Sequence, residues 1–330
     1  MKYLIAGFGS IGRRHFRNLR SLGETDFVFY RSKMGTVDDR EIAAYPVETK
    51  LDFALDHNPD VVIISNPTAL HLDIAFPSAK HGCHLFIEKP ISHSMDGIKQ
   101  LQEVVLENEI KVLVGFQFRF HPQLNHIKEL LAKNAIGDLI SVYVDWGEFL
   151  PGWHPWEDYR DSYSARRELG GGVVLTLCHP IDYLRWLIGD IESVWAYTSK
   201  VKALEIDVVA VAEIGVKFVN GVTGSIHLDY IQNPNTHFIK IIGSNGMIQW
   251  DYHIGSLVVY TMSNQNPETY PLPAGFERND MFREQAEHLI DLIRNDRISR
   301  CSLDDGVKVQ EIIQGIEDSA KKGTLSRFSG

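Results

Sequence analysis

Cysteine is scarce in this chain: Cys83, Cys178 and Cys301 are the three in 330 residues, an odd number with no Cys-x-x-Cys spacing. No Asn-x-Ser/Thr sequon occurs either. Both absences argue against a disulfide framework or an oxidising compartment, and the chain reads as cytoplasmic with reduced thiols. Long apolar runs are also missing. Stretches such as Val61-Val62-Ile63-Ile64 fall far short of the roughly 20 residues that cross a bilayer, and Gly7 comes too early for a secretory signal, so no membrane partner is expected. Positive charge is in deficit, with 33 Lys plus Arg against 43 Asp plus Glu and a formal charge of −10. Such a field repels phosphate backbones, no basic run reverses it, and nucleic acid is excluded as a partner. Neither His-Glu-x-x-His nor paired His/Cys ligand spacing is found, so no metal site is expected. What is there is an ordinary globular composition, 44% apolar and 23% charged, at a length that suits two domains.

Residues 3–6 are a short apolar run, followed by Gly7-Phe8-Gly9-Ser10-Ile11-Gly12 and an Arg-rich stretch with Ile11, Phe16, Leu19 and Leu22 at helical spacing. Residues 27–30 then read as a second strand. Strand, glycine turn, helix and strand form the context in which Gly-x-Gly-x-x-Gly signals a dinucleotide site, a fortuitous glycine turn being the competing reading. Gly7 permits the tight turn, Gly9 lets backbone amides approach a pyrophosphate, and Gly12 allows close packing of the helix that begins at Ser10 and Ile11 with its positive end toward the anion. After the second strand an NAD site usually places Asp or Glu, yet here stands Tyr30-Arg31-Ser32-Lys33. Arg31, Ser32 and Lys33 suit a ribose 2′-phosphate, so NADP(H) is favoured and NAD(H) is the alternative; a solvated loop with two cations is the plainer explanation. The alternation continues through Val61–Ile64, a helix over 71–80, a strand over 85–87, a helix capped by Ser94, and a last strand at Val112–Val114. A doubly wound parallel sheet over residues 1–120 is the expected outcome.

Ligands of open parallel sheets lie beyond the carboxyl ends of the strands. Ser65, Asn66, Pro67 and His71 follow one strand, either as cofactor contacts or as an ordinary turn capped by Thr68. Glu88-Lys89-Pro90 follows the next. Proline biases Lys89 away from helix and permits a cis bond, which would pin a lysine at the mouth of the sheet, able to bind a substrate oxygen and exchange its proton. A solvated loop lysine is the alternative. Gln117, past the last strand, joins Glu88 and Lys89 as a cofactor candidate.

The second half changes texture. Residues 206–218 alternate as an antiparallel strand, and Asn220-Gly221 and Asn245-Gly246 mark two hairpins of a meander. Helices bearing Phe282, Ala286, Leu289 and Ile293, then Val309, Ile313, Ile316 and Ala320, are expected to cover one sheet face, leaving the other solvated or paired with a second subunit. Between the halves, residues 141–164 carry three of the six tryptophans. Trp153, Trp156 and Tyr159 could stack on sugar C–H faces while Arg160 and Arg166 hold a carboxylate or phosphate; hydrophobic filler is the equal alternative. Gly170-Gly171-Gly172 leads into a helix on which His179 and Asp182 sit three residues apart, a pairing suited to taking a hydroxyl proton, although a lone buried histidine is the usual outcome.

Taken in order, Gly7-x-Gly9-x-x-Gly12, Glu88-Lys89-Pro90, Gly115-Phe116-x-x-Arg119-Phe120, and Gly170-Gly171-Gly172 with His179-x-x-Asp182 resemble the Gfo/Idh/MocA family of glucose–fructose oxidoreductase and inositol dehydrogenase relatives. The resemblance spans nearly the whole chain. It implies an α/β protein: an NAD(P)-binding Rossmann domain over 1–120, and an α+β domain with a large, mainly antiparallel sheet over 121–330 that binds substrate and builds homodimers or homotetramers. It also implies an enzyme that transfers a hydride at a sugar or cyclitol carbon, with Lys89 matching the catalytic lysine, His179 the catalytic histidine, and Arg119 among the groups near substrate. The family often places Asp four residues before that histidine; here the position is Leu175, which leaves Asp182 as the nearby acid. The Gly-x-Gly-Ser-Ile-Gly-Arg-Arg-His opening and the Trp-His-Pro-Trp-Glu-Asp-Tyr-Arg loop resemble members from surface-polysaccharide sugar pathways. An NAD-dependent glycosidase working by transient oxidation and a catalytically silent NADP-binding regulator are the alternative activities.

Overall fold

The computed structural model describes residues 1–31, 40–153 and 157–328, in two compact units: Met1–Gln117 with Glu277–Gln310, and Phe118–Phe276 with Glu311–Gly330. The division is therefore not one cut near residue 120, because the chain returns to the first unit late.

In chain order the first unit holds β1 (Lys2–Ala6), α1 (Ser10–Ser21), β2 (Asp26–Tyr30), β3 (Val47–Glu48), α2 (Leu51–Leu55), β4 (Val61–Ile64), α3 (His71–Lys80), β5 (His84–Ile87), α4 (Ile98–Glu107) and β6 (Val112–Val114). The strands are parallel in the order β3-β2-β1-β4-β5-β6. Helices cover parallel strands on both faces, which is why β4 is apolar throughout and buried at all four residues. The order reverses between β1 and β4, and that switch point is where such sheets open a crevice. Phe16 of α1 meets Phe27 and Phe29 of β2 edge-on, with centroids at 4.9 and 5.2 Å. The expected Ser94 cap is absent: α4 begins after Gly97, at φ +80°, and Ser94 Oγ accepts instead from Asp96 N.

The second unit contains α5 (Pro122–Ala132), β7 (Leu139–Gly147), α6 (Val173–Thr176), α7 (His179–Ile188), β8 (Ile191–Ser199), β9 (Val211–Phe218), β10 (Thr223–Asp229), β11 (Thr236–Gly243), β12 (Gly246–Asp251), β13 (Ser256–Thr261) and β14 (Asn264–Pro271). Its nine-stranded sheet runs β14-β13-β12-β11-β7-β10-β9-β8, closed by β15 (Ser326–Arg327). Both Asn-Gly hairpins form, joining β9 to β10 and β11 to β12. The simple meander does not, because β7 inserts parallel to β10 and antiparallel to β11. The strand expected over 206–218 starts only at Val211. One cross-strand row, Ala196, Ile214, Ile226, Val144, Ile239, Trp250 and Leu257, is the spine of the core, each residue no more than 1% exposed. α6 packs on β9 and β10.

α8 (Arg278–Arg294) opens with a capping box between Glu277 and Asp280. It belongs to the first unit, packing on α1, with Arg294 donating to Glu24 at 2.6 Å. This corrects the expectation that it covers the second sheet, since an apolar stripe reports that a face is buried but not against what. α9 (Leu303–Lys322) starts in the first unit, where Gly306 lies against Ile91 and Val114, and ends in the second, where Ser319 Oγ accepts from Ala196 N.

Candidate active site

Past the carboxyl ends of β1, β4, β5 and β6 the ladder continues for one more residue. Ser65 N donates to Ala6 O at 2.9 Å, Glu88 N to Ile64 O at 3.0 Å, and Gly115 N to Ile87 O at 2.8 Å. The residues that follow each strand are therefore held in register. Gly7 stands at φ +93°, and any side chain there would meet the backbone of Asn66. A methyl group on Gly12 would run into the Gly7 carbonyl oxygen, which accepts from Ser65 Oγ at 2.9 Å. Gly9 differs, because a Cβ built there finds no protein atom within 4 Å. The open side of the turn thus faces the amides of Ser10 and Ile11 at the start of α1. Beside it, Asn66 donates from Nδ2 to Leu70 O, while its buried Oδ1 has no hydrogen-bond partner. Open backbone, a helix N-terminus and an orphaned acceptor fit a pyrophosphate-linked dinucleotide. Pro67 leads into the short turn at Thr68–Leu70, whose start carries no side-chain cap, contrary to the Thr68 expectation. Gln117 is buried at the start of the turn after β6.

Arg31 is not on a solvated loop. It is 7% exposed, with its guanidinium carbon 6.0 Å from the Phe8 ring, and Arg13 lies over the same ring at 4.8 Å. Burial and the Arg13 charge both hold its pKa below the usual guanidinium value. Arg13 is also paired with Glu41, with Nη1 at 3.3 Å from Oε2. Ser32, Lys33 and Trp156 lie outside the described residues.

Glu88-Lys89-Pro90 is tied on both flanks. The Lys89–Pro90 peptide is cis. Glu88 Oε1 accepts from His15 Nε2 at 2.7 Å, and its Oε2 accepts from Lys89 N at 3.2 Å. Burial pushes the Glu88 pKa up, but the His15 hydrogen bond and the charges of His15 and Lys89 outweigh it, and the group lies below the usual carboxylate range. A methyl on Gly115 would strike Glu88 at about 3 Å, so that glycine makes room for it. His71 is 1% exposed and its ring lies between two carbonyls, Nδ1 at 2.9 Å from Pro90 O and Nε2 at 3.0 Å from Asn66 O. Its ring contacts are thus with the protein backbone. Sequence reasoning missed His15; its partner lies 73 residues away, and no local spacing signals that pairing.

In the second unit, His179 opens α7, 3% exposed, packed on Phe118 at 5.0 Å and Trp146 at 5.6 Å. Asp182, expected to serve His179, is fully buried and takes a bidentate bond from Arg119, with Nη2 at 2.7 Å and Nε at 3.1 Å. Arg119 is likewise 4% exposed. Two residues separately assigned to proton transfer and to substrate are partners of each other, because a buried carboxylate needs a cation: stripping one partner from such a pair costs about 3–5 kcal/mol. The three-residue helical spacing put Asp182 near His179 but could not show Arg119 arriving from the turn before α5. Trp153 meets Tyr230 edge-on at 5.7 Å, and Tyr159 donates its hydroxyl to Leu204 O. Arg160 and Arg166 are both exposed, Arg160 bound to Asp158 and Glu205, Arg166 to Glu168. Leu175, 7% exposed, lies in α6.

Residues 1–116 match the oxidoreductase-family NAD-binding Rossmann model, and residues 124–249 match the GFO/IDH/MocA C-terminal domain model. The chain belongs to the GFO/IDH/MocA family. This family member is 34% identical to an uncharacterized oxidoreductase of Synechocystis sp. over 43% of this chain and 38% of that protein. It is 22% identical to a D-xylose 1-dehydrogenase (NADP+) of Haloferax volcanii over 81% and 80% of the two chains. In fold it matches levoglucosan dehydrogenase in complex with NADH and levoglucosan at TM-score 0.88, with 21% identity and both chains fully covered. The GFO/IDH/MocA oxidoreductase described here is a nicotinamide-cofactor protein. Among the described residues no helix is long and apolar enough to cross a membrane, and no group of three His, Cys, Asp or Glu is placed to hold a metal ion.

Proposed function

We propose that this protein is a cytoplasmic NAD(P)-dependent dehydrogenase or reductase that moves a hydride between a nicotinamide and a hydroxyl or keto carbon of a sugar derivative, in the supply of surface-polysaccharide sugars. The observation that carries this reading is the placement of Lys89 at the end of β5, in the same unit as the Gly7–Gly12 turn and fixed at both flanking residues. When bound, the nicotinamide supplies or accepts the hydride. Gly7, Gly9, the amides of Ser10 and Ile11, Ser65, Asn66 and Pro67 hold the dinucleotide. Lys89 donates from Nζ to the reacting oxygen, and His179 takes or returns the hydroxyl proton. Leu175 stands in place of the family's aspartate, and Asp182 takes a bidentate bond from Arg119. The first unit is the cofactor domain. The second supplies substrate groups and the face through which copies of the chain associate.

NADP(H) is the preferred cofactor in this reading, because Arg31 follows β2, where a carboxylate for the ribose 2′-hydroxyl would otherwise stand, and its guanidinium suits a 2′-phosphate. Titration of the stripped protein with NADPH and with NADH, followed by nicotinamide fluorescence, tests this. Tighter NADPH binding that falls about tenfold or more in Arg31→Ala is expected, a single lost charge-assisted contact being worth about 1.5–3 kcal/mol; equal affinities would refute the preference. Levoglucosan, D-xylose and myo-inositol, screened by nicotinamide absorbance with Lys89→Met as control, test the reaction itself. Lys89-dependent turnover supports it, and turnover unchanged in Lys89→Met would remove Lys89 from the chemistry.

A further inference from the structure

Lys89 is preceded by a buried carboxylate and followed by a buried carbonyl, and each is held by a histidine from a different helix. On one flank His15, in α1, donates from Nε2 to Glu88 Oε1 at 2.7 Å, and the other carboxylate oxygen accepts the Lys89 backbone N–H. His15 is itself clamped, with Phe86 of β5 at 4.6 Å and Phe282 of α8 at 6.3 Å. On the other flank His71, at the start of α3, meets Pro90 O through Nδ1 and Asn66 O through Nε2. A neutral imidazole has one proton for these two carbonyls. The Pro90 contact is fully buried and the Asn66 contact only partly so. An unmade bond costs more where water cannot reach, which assigns the proton to Nδ1 and the bond to Pro90.

We propose that His15 and His71 are a pair of positioning residues that fix the backbone of Lys89 from either side, His15 through the Glu88 carboxylate and His71 through the Pro90 carbonyl. The proposal rests on the role given to Lys89 above. It explains why two histidines beside the dinucleotide turn are turned onto protein atoms. His15 ties the end of β5 to the helix whose N-terminus receives the pyrophosphate, and His71 ties Pro90 to the turn that carries Asn66 and Pro67. Dinucleotide and lysine are thereby held to one frame, and small displacements of a reacting group are costly in rate.

Amide substitutions separate this role from a general loss of packing, because a glutamine amide reaches the position of histidine Nε2 and an asparagine amide that of Nδ1. At position 15 the bond uses Nε2, so His15→Gln should keep kcat within about threefold of wild type while His15→Asn loses about tenfold to a hundredfold. At position 71 the essential bond uses Nδ1, so the ranking reverses: His71→Asn is retained and His71→Gln is impaired. NADPH and NADH affinities, read by fluorescence, should move far less than kcat in all four. A second readout needs no substrate. Lysines are reductively methylated with 13C, the Lys89 signal is identified by its disappearance in Lys89→Met, and its displacement from the exposed lysines should follow the same crossed ranking. The same order at both positions, or four variants alike in both readouts, overturns the proposal. Lys89→Met with unimpaired turnover overturns instead the reading on which it rests, and the two failures are therefore distinguishable.

Discussion

His227 shows how one residue's surroundings set a pH limit on the fold. Its ring lies on β10 between Glu213, at 2.6 Å from Nδ1, and Asp229, at 2.8 Å from Nε2. The hydrogen bond to Asp229 raises its pKa most, burial opposes, and Glu213 adds to the rise, which brings the group to about 9. The folded value lies above the unfolded value of about 6.5. The stabilisation is therefore complete below about pH 6.5 and is lost as pH climbs through about 9. Thermal unfolding of wild type and His227→Gln between pH 6 and 10 checks this: the wild-type advantage is expected to be greatest at pH 6 and to vanish by pH 10, and a constant gap would contradict it. His121 is the opposite case. Both of its ring nitrogens are buried without hydrogen-bond partners, and burial pushes its pKa down to about 3. Its contribution is present above about pH 6.5 and is lost as pH falls and the unfolded chain takes up the proton. Neither histidine announces its surroundings in the sequence, because the groups that decide them come from neighbouring strands and from distant aromatic rings.

At the scale of elements, the turn between β1 and α1 separates two uses of glycine that the motif writes alike. Gly12 is required by the protein, since a methyl there meets the Gly7 carbonyl, whereas Gly9 faces open space. Gly9→Ala should leave the melting temperature within a few degrees of wild type and abolish nucleotide-induced stabilisation. Gly12→Ala should lower the melting temperature of the free protein by several degrees, overpacking of this kind typically costing about 1–3 kcal/mol. Differential scanning fluorimetry with and without NADPH reads both, and a destabilised Gly9→Ala would mean that the open space is not the ligand's. The parallel sheet was legible because its signals are local: apolar β4, glycine after β1, and Lys89-Pro90 after β5 all lie within a few residues of the element they mark. What was not legible was pairing across distance. β7 enters the second sheet between β10 and β11, α8 packs on α1, Arg119 reaches Asp182, and His15 reaches Glu88. Each needs a partner 60 or more residues away in sequence, and periodicity carries no information about which partner that is. The aromatic segment at 141–164 has mixed surroundings: Trp146 packs on His179 and stacks on His237, while Arg160, and Arg166 just beyond the segment, are held by carboxylates at the surface.

At the scale of the whole molecule, the second sheet is lopsided. The row of core residues on one face is matched on the other by Tyr197, Glu213, His227, Asp145 and Phe238 and, one step along, by Trp195, Gly215, Ser225, Tyr143, Lys240 and Gln249. Tyr197 is 63% exposed and Tyr143 41%, with Ile242 and Tyr260 also exposed on this face. A solvated face carries polar side chains at these alternate positions, as most of these are; the exposed tyrosines and Ile242 among them are what an interface enriches. Size decides whether the face suffices. Nine strands spaced about 4.8 Å apart and some seven residues long at about 3.3 Å each give a footprint on the order of 1,000 Å², which is enough for what one partner contributes to a stable complex. His227 and the Glu213 carboxylate lie on this face, so association would take charged groups from water, a cost that their pairing within one chain offsets in part. The expectation is a homodimer or homotetramer joined face to face through this sheet. Sedimentation velocity of the wild type at micromolar concentration should show that species, and the double variant Tyr143→Asp, Tyr197→Asp should sediment as a monomer while keeping its far-UV spectrum and its NADPH affinity, since neither residue belongs to the nucleotide-binding unit. A monomeric wild type, or a double variant that still associates, would mean that the exposed aromatic rings serve another purpose.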